Sequence, residues 1–274
     1  MPISCPLRFQ PLSDADFAAI DRSVMGCCYA SQNALGRLCD ERVYESDVAA
    51  RLHAQGTNDV QTELPVTVTH EDFAKTYRLD LVVGGMVYEF KTVAAFAPEH
   101  ETQAIHYAAL TGAERVKLVN FRSVRVEGQL LRSPLWRVDR SRFEVGKSRW
   151  RPLCDSCVAL LTRMTALLGD WGAFLAVDLY EDALVHFFGG ETQCLRRLPV
   201  VRNGLPLGTH RIACHALDVG FLVTALTHDS SAHESQLVRL LHCLPLRGLQ
   251  WFNLNHTRLE LVTLSNGTRT EAKE

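Results

Sequence analysis

No run of apolar residues in the sequence is long enough to span a bilayer. The most apolar stretches, around 171–179 and 220–226, fall far short of the roughly 18 to 20 residues a spanning helix needs. The chain opens as Met1-Pro-Ile-Ser-Cys-Pro-Leu-Arg, with no basic segment followed by an apolar core, so no signal peptide is expected. The expectation is a soluble, cytoplasmic protein with no membrane partner. Net charge is small: 29 Lys and Arg against 31 Asp and Glu leave -2, which excludes a uniformly basic nucleic-acid binder but not a local basic face. Lysine is scarce, five of those 29, so each one is worth inspecting. Only Cys154-Asp-Ser-Cys157 has metal-ligand spacing, and a second CxxC is missing. The other seven cysteines (5, 27, 28, 39, 194, 214, 243) are scattered and read as reduced, partly core thiols. An iron–sulfur or zinc centre would have to recruit two of those distant cysteines, and an iron–sulfur cluster is not expected. What is present is ordinary: 274 residues, 47% apolar and 22% charged, rule out a disordered chain and leave room for about two domains.

Internal similarity organises the chain. His100-Glu101-Thr102-Gln103 recurs as His233-Glu234-Ser235-Gln236, an offset of 133. The same offset aligns Tyr77-Arg78-Leu79 with His210-Arg211-Ile212, Val119-Asn120-Phe121 with Phe252-Asn253-Leu254, and Arg125-Val126 with Arg258-Leu259. An offset of 134 pairs Glu63-Leu64-Pro65-Val66 with Arg197-Leu198-Pro199-Val200. An offset of 136 pairs Leu35-Gly36 with Trp171-Gly172, and Tyr44-Glu45 with Tyr180-Glu181. Changes in loop length produce such drift, so residues 34–127 and 170–261 read as two copies of one unit. The expected domains are 1–127, an N-terminal helix with the first copy; 128–169, a basic connector; and 170–274, the second copy with a tail.

Each copy reads as helix, strand, hairpin, helix, strand, strand: an α/β pattern with a mixed sheet. In the first copy, Val43, Tyr44, Val48 and Leu52 recur at helical spacing over 41–55, and Gly56 closes the helix. Strands are expected at 63–69, at 77–83 and 86–93 around the two-residue turn Gly84-Gly85, and at 116–121 and 123–130. Helices are expected at 101–110 and, ahead of the first copy, at about 14–35.

The chemistry concentrates on the hairpin. With Gly84-Gly85 as its turn, Val83 pairs with Met86 and Asp80 falls directly opposite Glu89, with Lys91 pointing to the same side. Opposed carboxylates repel unless a positive charge sits between them. Hard oxygen ligands suit a divalent metal, above all Mg²⁺ or Mn²⁺, which would stabilise charge on a scissile phosphate and activate water. The alternative for the same three residues is an exposed charge cluster on a strand face.

Asp80 on one strand and Glu89-Phe90-Lys91 on the next resemble the core of the PD-(D/E)XK nuclease superfamily. Leu35-Gly36 followed by Glu41-Arg42-Val43-Tyr44-Glu45 is similar to the signature of the GxxExxY family within it, except that Leu38 stands where that family has glycine. Residues 77–83, 88–91, 100–103 and 119–121 resemble its later motifs, in the same order. The resemblance implies a restriction-endonuclease-like mixed sheet flanked by helices, here internally duplicated with pseudo-twofold character. It also implies Asp80 and Glu89 as metal ligands with Glu41 facing the metal, Lys91 as catalytic base or charge stabiliser, and Gln103 beside that lysine. Tyr107, four residues on, shares a helix face with Gln103. His100 and His233, kept in both copies, read as structural groups at a helix start.

Carried through the offsets, Asp80 becomes Ala213, Glu89 becomes Leu222, Lys91 becomes Thr224 and Glu41 becomes Val177, so the second copy is expected to be degenerate. Between 115 and 151 the chain holds eleven basic and three acidic residues, with Trp136 and Trp150 among them. Arg122, Arg125, Arg132, Arg137, Lys147 and Arg149, with Trp136 and Trp150, are the candidate nucleic-acid contacts; a solvated connector with packed tryptophans is the equal alternative. The function expected is metal-dependent hydrolysis of nucleic-acid phosphodiesters, DNA ahead of RNA, at one site in the first copy. The alternative is a non-catalytic nucleic-acid-binding or assembly module. Nucleic acid and a larger protein assembly are the partners considered, for a monomer with an internal pseudo-dimer or a homodimer.

Overall fold

The computed structural model describes residues 2–133 and 140–266, and the chain divides into two compact units, Met1–Arg137 and Val138–Glu274. Each is a six-stranded mixed sheet flanked by helices. Among the described residues no helix is long and apolar enough to cross a membrane.

The first unit runs β1 (Ile3–Ser4), α1 (Asp14–Leu35), α2 (Glu41–Ala54), β2 (Val60–His70), β3 (Phe73–Val83), β4 (Met86–Lys91), α3 (Pro98–Thr111), β5 (Arg115–Asn120) and β6 (Glu127–Arg132). The strands lie in sequence order, antiparallel except for the parallel pair β4–β5, which α3 connects. Gly84 and Gly85 both adopt positive φ (55° and 83°), the conformation a tight hairpin turn demands. A Cβ on Gly84 would also stand 2.7 Å from Ile20 of α1. Alternation along β4 then sorts its side chains. Tyr88 and Phe90 enter a core with Val24 and Cys28 of α1 and Tyr44, Val48 and Leu52 of α2, whereas Glu89 and Lys91 point to the other face.

The second unit runs β7 (Glu144–Arg149), α4 (Asp155–Trp171), α5 (Val177–Phe187), α6 (Gly190–Cys194), β8 (Leu195–Arg202), β9 (Leu205–Cys214), β10 (Val219–Thr224), α7 (Ser230–His242), β11 (Gly248–Asn255) and β12 (Arg258–Ser265). Its sheet order is β7-β12-β11-β10-β9-β8, again with a parallel central pair, β10–β11, joined by a helix.

The two units repeat individual hydrogen bonds. Tyr44 Oη donates to the Gly36 carbonyl at 2.7 Å, and Tyr180 Oη to the Gly172 carbonyl at 2.6 Å. Asn120 accepts from the Val93 N–H (3.2 Å) and donates to the Val93 carbonyl (2.8 Å); Asn253 does the same with Leu226 at 2.8 and 3.0 Å. The parallel registers agree as well: Glu89 pairs with Leu118 and Lys91 with Asn120, as Leu222 pairs with Trp251 and Thr224 with Asn253.

Two segments differ from the sequence expectation. Residues 121–126 form a turn and not the start of a strand, because Gln32 of α1 ties it down. Its amide donates to the Phe121 and Ser123 carbonyls, and its Oε1 accepts from the Val126 N–H. Residues 128–169 are not a single linking segment. They supply β6 to the first sheet, and β7 and α4 to the second unit. Leu160, Met164, Leu167, Leu168 and Trp171 form the buried stripe that makes α4 a core helix.

Both asparagines are fully buried and replace missing strand partners, so truncating either leaves backbone groups without partners. Asn120→Ala and Asn253→Ala should each cost about 2–4 kcal/mol in urea unfolding. A loss below about 0.5 kcal/mol in either would contradict the role given to that side chain.

Candidate active site

The β3–β4 ladder pairs Val83 with Met86, Val82 with Val87 and Leu81 with Tyr88, and then stops. At the next position Asp80 Oδ2 accepts the Phe90 N–H at 2.8 Å. A side-chain carboxylate thus accepts the hydrogen bond of a strand N–H, which fixes Asp80 at the edge of the gap. Glu89 is almost fully buried, 1% exposed: its Oε1 accepts from Lys91 Nζ at 2.8 Å, while its Oε2 is buried with no partner. Glu41, the first residue of α2, accepts the Thr92 N–H at 3.0 Å, tying the helix start to the end of β4. From α3, Gln103 Nε2 donates to Tyr107 Oη at 2.9 Å. His100 Nδ1 accepts the Ala97 N–H at the start of that helix.

The electrostatics follow from this crowding. Burial pushes the Asp80 carboxyl up to about 6; the Phe90 N–H and Lys91 oppose the rise, and Glu41 and Glu63 add to it. Burial, then the neighbouring Asp80, takes Glu89 up to about 8 even with Lys91 alongside. Burial pulls Lys91 downward, but Glu89, Asp80 and Glu41 together outweigh it and the net shift is upward. Tyr107 rises through burial and through the charge of Glu89.

Sequence reading missed two further carboxylates. Glu45, one turn after Glu41, is 6% exposed, and burial together with Asp80 and Glu63 takes it up to about 7. Glu63 sits on β2 between the pairs Thr62–Leu81 and Leu64–Leu79, and so opposite Asp80, with its backbone in the left-handed region (φ 52°). Carboxylate oxygens of Glu45, Glu63 and Asp80 lie within 4.8 Å of one another. Arg42 and Arg78 approach Glu63 at 3.6 and 3.7 Å. The β2–β3 register sets Glu63 against Asp80 as the β3–β4 register sets Glu89 against it, but no two-glycine turn fixes the β2–β3 register in the sequence.

Several carboxylates around a single ammonium, one of them with an orphaned buried oxygen, fit a hard divalent cation such as Mg²⁺ or Mn²⁺. Among the described residues the carboxylates whose oxygens all come within 4.8 Å of one another are Glu45, Glu63 and Asp80. Of the three expected ligands only Asp80 belongs to that group, and Glu41 and Glu89 stand outside it.

The second unit has a different interior at the matching place. The last β9–β10 pair is Cys214–Gly220, and His215 opens the connection between the two strands, in which the Ala216 N–H meets the Val219 carbonyl at 3.4 Å. The register of β9 differs by one position from that of the first unit: Ala213 pairs with Phe221, and the same register sets Ile212 beside Leu222. Ile212, Ala213 and Leu222 line a cavity of about 550 Å³. Leu222 packs against a core containing Leu237, Leu241 and Trp251, and the Thr224 hydroxyl contacts Asn253 Oδ1 at 2.8 Å.

The basic residues separate between the units. Arg122 and Arg125 are exposed on the β5–β6 turn, at the same end of the sheet as Lys91. Arg132 is exposed at the opposite end, paired in register with Arg115. Lys147 and Arg149 are exposed on β7 of the second unit, where Arg149 forms an ion pair with Glu234. Trp150 is half-buried, 5.8 Å from the Phe252 ring. Trp136 and Arg137 lie outside the described residues. Other cations in this stretch are internal: Arg115 binds Asp14, Lys117 binds Asp21, and Arg140 is buried.

Residues 18–132 match the sequence model of the PD-(D/E)XK nuclease superfamily, a stretch from α1 to β6 that includes Glu41, Asp80, Glu89, Lys91, Gln103 and Tyr107. No curated protein matches the sequence. Among solved structures, "Crystal structure of SSO0001" is similar at 19% identity and a TM-score of 0.24. That match covers 41% of this chain, and this chain spans 66% of the other.

The raised carboxyls set a pH dependence. In the folded chain Asp80 and Glu89 hold their protons more tightly than ordinary carboxyls (3.8 and 4.5), so protonation favours the folded state. Their contribution is full below about pH 4 and is lost as pH rises through about 6 and then about 8. In chelator, the melting temperature of the first unit should therefore fall between pH 5 and 9, and Glu89→Gln should flatten the upper part of that fall. A wild-type profile that is level or rises over this range would contradict the assignment.

Proposed function

We propose that the chain is a metal-dependent nuclease of the GxxExxY type that hydrolyses phosphodiester bonds, in DNA rather than RNA, at one active site in the first unit. The observation that carries this reading is the buried group of Asp80, Glu89 and Lys91, tied at its edge to Glu41 and containing a Glu89 oxygen without a partner. A bound Mg²⁺ or Mn²⁺ would neutralise charge on the scissile phosphate and lower the pKa of a bound water. The protein supplies the rest. The Phe90 N–H holds Asp80 in one orientation, and Lys91 holds Glu89. Lys91, already paired as a cation with Glu89, stabilises negative charge developing on the phosphate. Gln103 and Tyr107 form a hydrogen-bonded pair that orients the substrate side of the site. Arg122 and Arg125, on the turn at that end of the sheet, are the nearest candidates for backbone phosphate contacts; Arg132, Lys147, Arg149 and Trp150 lie on other elements.

The second unit is read as a degenerate copy of the first. The repeated Tyr–Gly and Asn–backbone hydrogen bonds support a common frame. Val177, Ile212, Leu222 and Thr224 stand where the first unit has charge, as expected once no metal remains to compensate a buried carboxylate. With one competent site, cleavage of one strand at a time follows. That a frame persists without the chemistry also supports the second reading, a binding or assembly module, which requires no metal affinity at Asp80 and Glu89.

Supercoiled plasmid incubated with Mg²⁺ or Mn²⁺ should give nicked circles before linear product, and Lys91→Ala or Glu89→Ala should slow nicking by at least about 100-fold. Undiminished cutting in those variants would assign the activity to a contaminant. Linear product without a nicked precursor would overturn the one-site reading.

A further inference from the structure

The second unit carries a cluster that the nuclease reading does not use. Cys154 stands at the N-cap of α4 and Cys157 three residues on, and both sulfurs face His215 across the sheet edge. Cys157 Sγ lies 3.6 Å from Cys154 Sγ and 3.4 Å from His215 Nε2, and all three ligand atoms fall within 4.8 Å of one another. We propose that Cys154, Cys157 and His215 form a binding site for a zinc-class metal ion that fastens the start of α4 to the β9–β10 turn.

Three independent features support the site. The first is spacing. Zinc–sulfur bonds of about 2.3 Å and zinc–nitrogen bonds of about 2.0–2.1 Å in a tetrahedron put two sulfurs about 3.8 Å apart, and sulfur and nitrogen about 3.6 Å apart. The observed 3.6 and 3.4 Å lie within about 0.2 Å of those edges. The second is the environment of Cys157. Its sulfur is fully buried and receives two N–H donors, from the Leu153 backbone and from Gln250 Nε2, both at 3.3 Å. The Gln250 amide cannot be reversed, because the same nitrogen also donates to the Arg151 carbonyl at 3.0 Å while Oε1 meets the Thr263 hydroxyl. A thiol is a weak acceptor; N–H groups converging on a buried sulfur suit a thiolate, which in turn needs a cation. The third is His215 itself. It is 9% exposed and directly follows β9. Its ring lies edge-on to Phe188 (5.8 Å) and Phe221 (6.2 Å), which fix its plane, while its Nδ1 is buried without a hydrogen-bond partner and its Nε2 meets only the Cys157 sulfur.

The connection between β9 and β10 gives this placement a cause: His215 is its first residue, directly after the Cys214–Gly220 pair, where its imidazole meets the CxxC pair. Cys157 and His215 are 58 residues apart, so a metal bridging them closes a long stretch of chain. Among the described residues no fourth Cys, His, Asp or Glu atom joins the group, which leaves one position for water.

The test uses the full-length chain, reduced and stripped of metal, titrated with Co²⁺ and then Zn²⁺. One Co²⁺ per chain should bind with thiolate charge-transfer absorption in the near ultraviolet and the intense visible bands of a tetrahedral ion, and one equivalent of Zn²⁺ should displace it. Cys154→Ser and Cys157→Ser should remove the charge-transfer bands. Gln250→Ala should weaken binding by about 10–100-fold. Cys243→Ser and Glu89→Gln should leave the spectrum unchanged, which separates this site from the carboxylate site in the first unit. Wild-type protein that shows no thiolate bands, or that oxidises to a Cys154–Cys157 disulfide without taking up metal, would overturn the proposal however the variants behave.

Discussion

Asp80 joins two groups of carboxylates: Glu89 and Glu41 share it with the Lys91 ammonium, and Glu45 and Glu63 approach it from α2 and β2. Glu89 and Glu45 are buried and the other carboxylates half-buried. Mutual repulsion and desolvation raise three of these carboxyls far above their ordinary range. The surrounding structure is arranged to tolerate that cost. The β3–β4 ladder ends one pair early so that the Phe90 N–H can serve Asp80. The start of α2 is held to the end of β4 through Glu41 and Thr92. The parallel β4–β5 pair sets Lys91 beside Asn120, which closes the backbone around Val93. An uncompensated buried carboxylate is expensive, and one Glu89 oxygen is left buried without a hydrogen-bond partner.

The second unit acts as an internal comparison. It keeps the order of five strands (β8 to β12 against β2 to β6), the helix-linked parallel pair, the Tyr–Gly bond and the Asn–backbone clamp. Its sixth strand, β7, lies parallel to β12 at the edge opposite to that of β1. Where the first unit has charge it has apolar or hydroxyl side chains, and Leu222 joins an ordinary hydrophobic core. The frame is therefore held by groups that do not depend on the chemistry, while the carboxylates need a ligand to be worth burying. A polar cluster that the second unit does contain, Cys154, Cys157 and His215, lies at the start of α4 and in the β9–β10 connection, which is longer than the first unit's two-glycine turn.

Much of this was legible in the residues. The Gly84-Gly85 turn fixed the hairpin register, and alternation then put Asp80, Glu89 and Lys91 on one face. The repeat offsets found the frame of the second unit to within one residue. Three features were not legible, each for a physical reason. The longer β9–β10 connection shifts the register by one position in a way no offset reveals, so Ile212, and not Ala213, lies beside Leu222. The charge of 115–151 suggested a connector, but charge does not report on the buried stripe of α4 or on the ion pairs that absorb Arg115 and Lys117. Glu45 and Glu63 reach Asp80 from a helix face and a neighbouring strand whose approach depends on tertiary packing and on the left-handed backbone at Glu63.

Anomalous diffraction from crystals soaked in Mn²⁺ tests the one-site arrangement most directly. The expected result is a manganese peak at the Asp80 and Glu89 carboxylates, with no peak in the cavity lined by Ile212, Ala213 and Leu222. A peak in that second cavity, or none at Asp80 and Glu89 at saturating Mn²⁺, would contradict it.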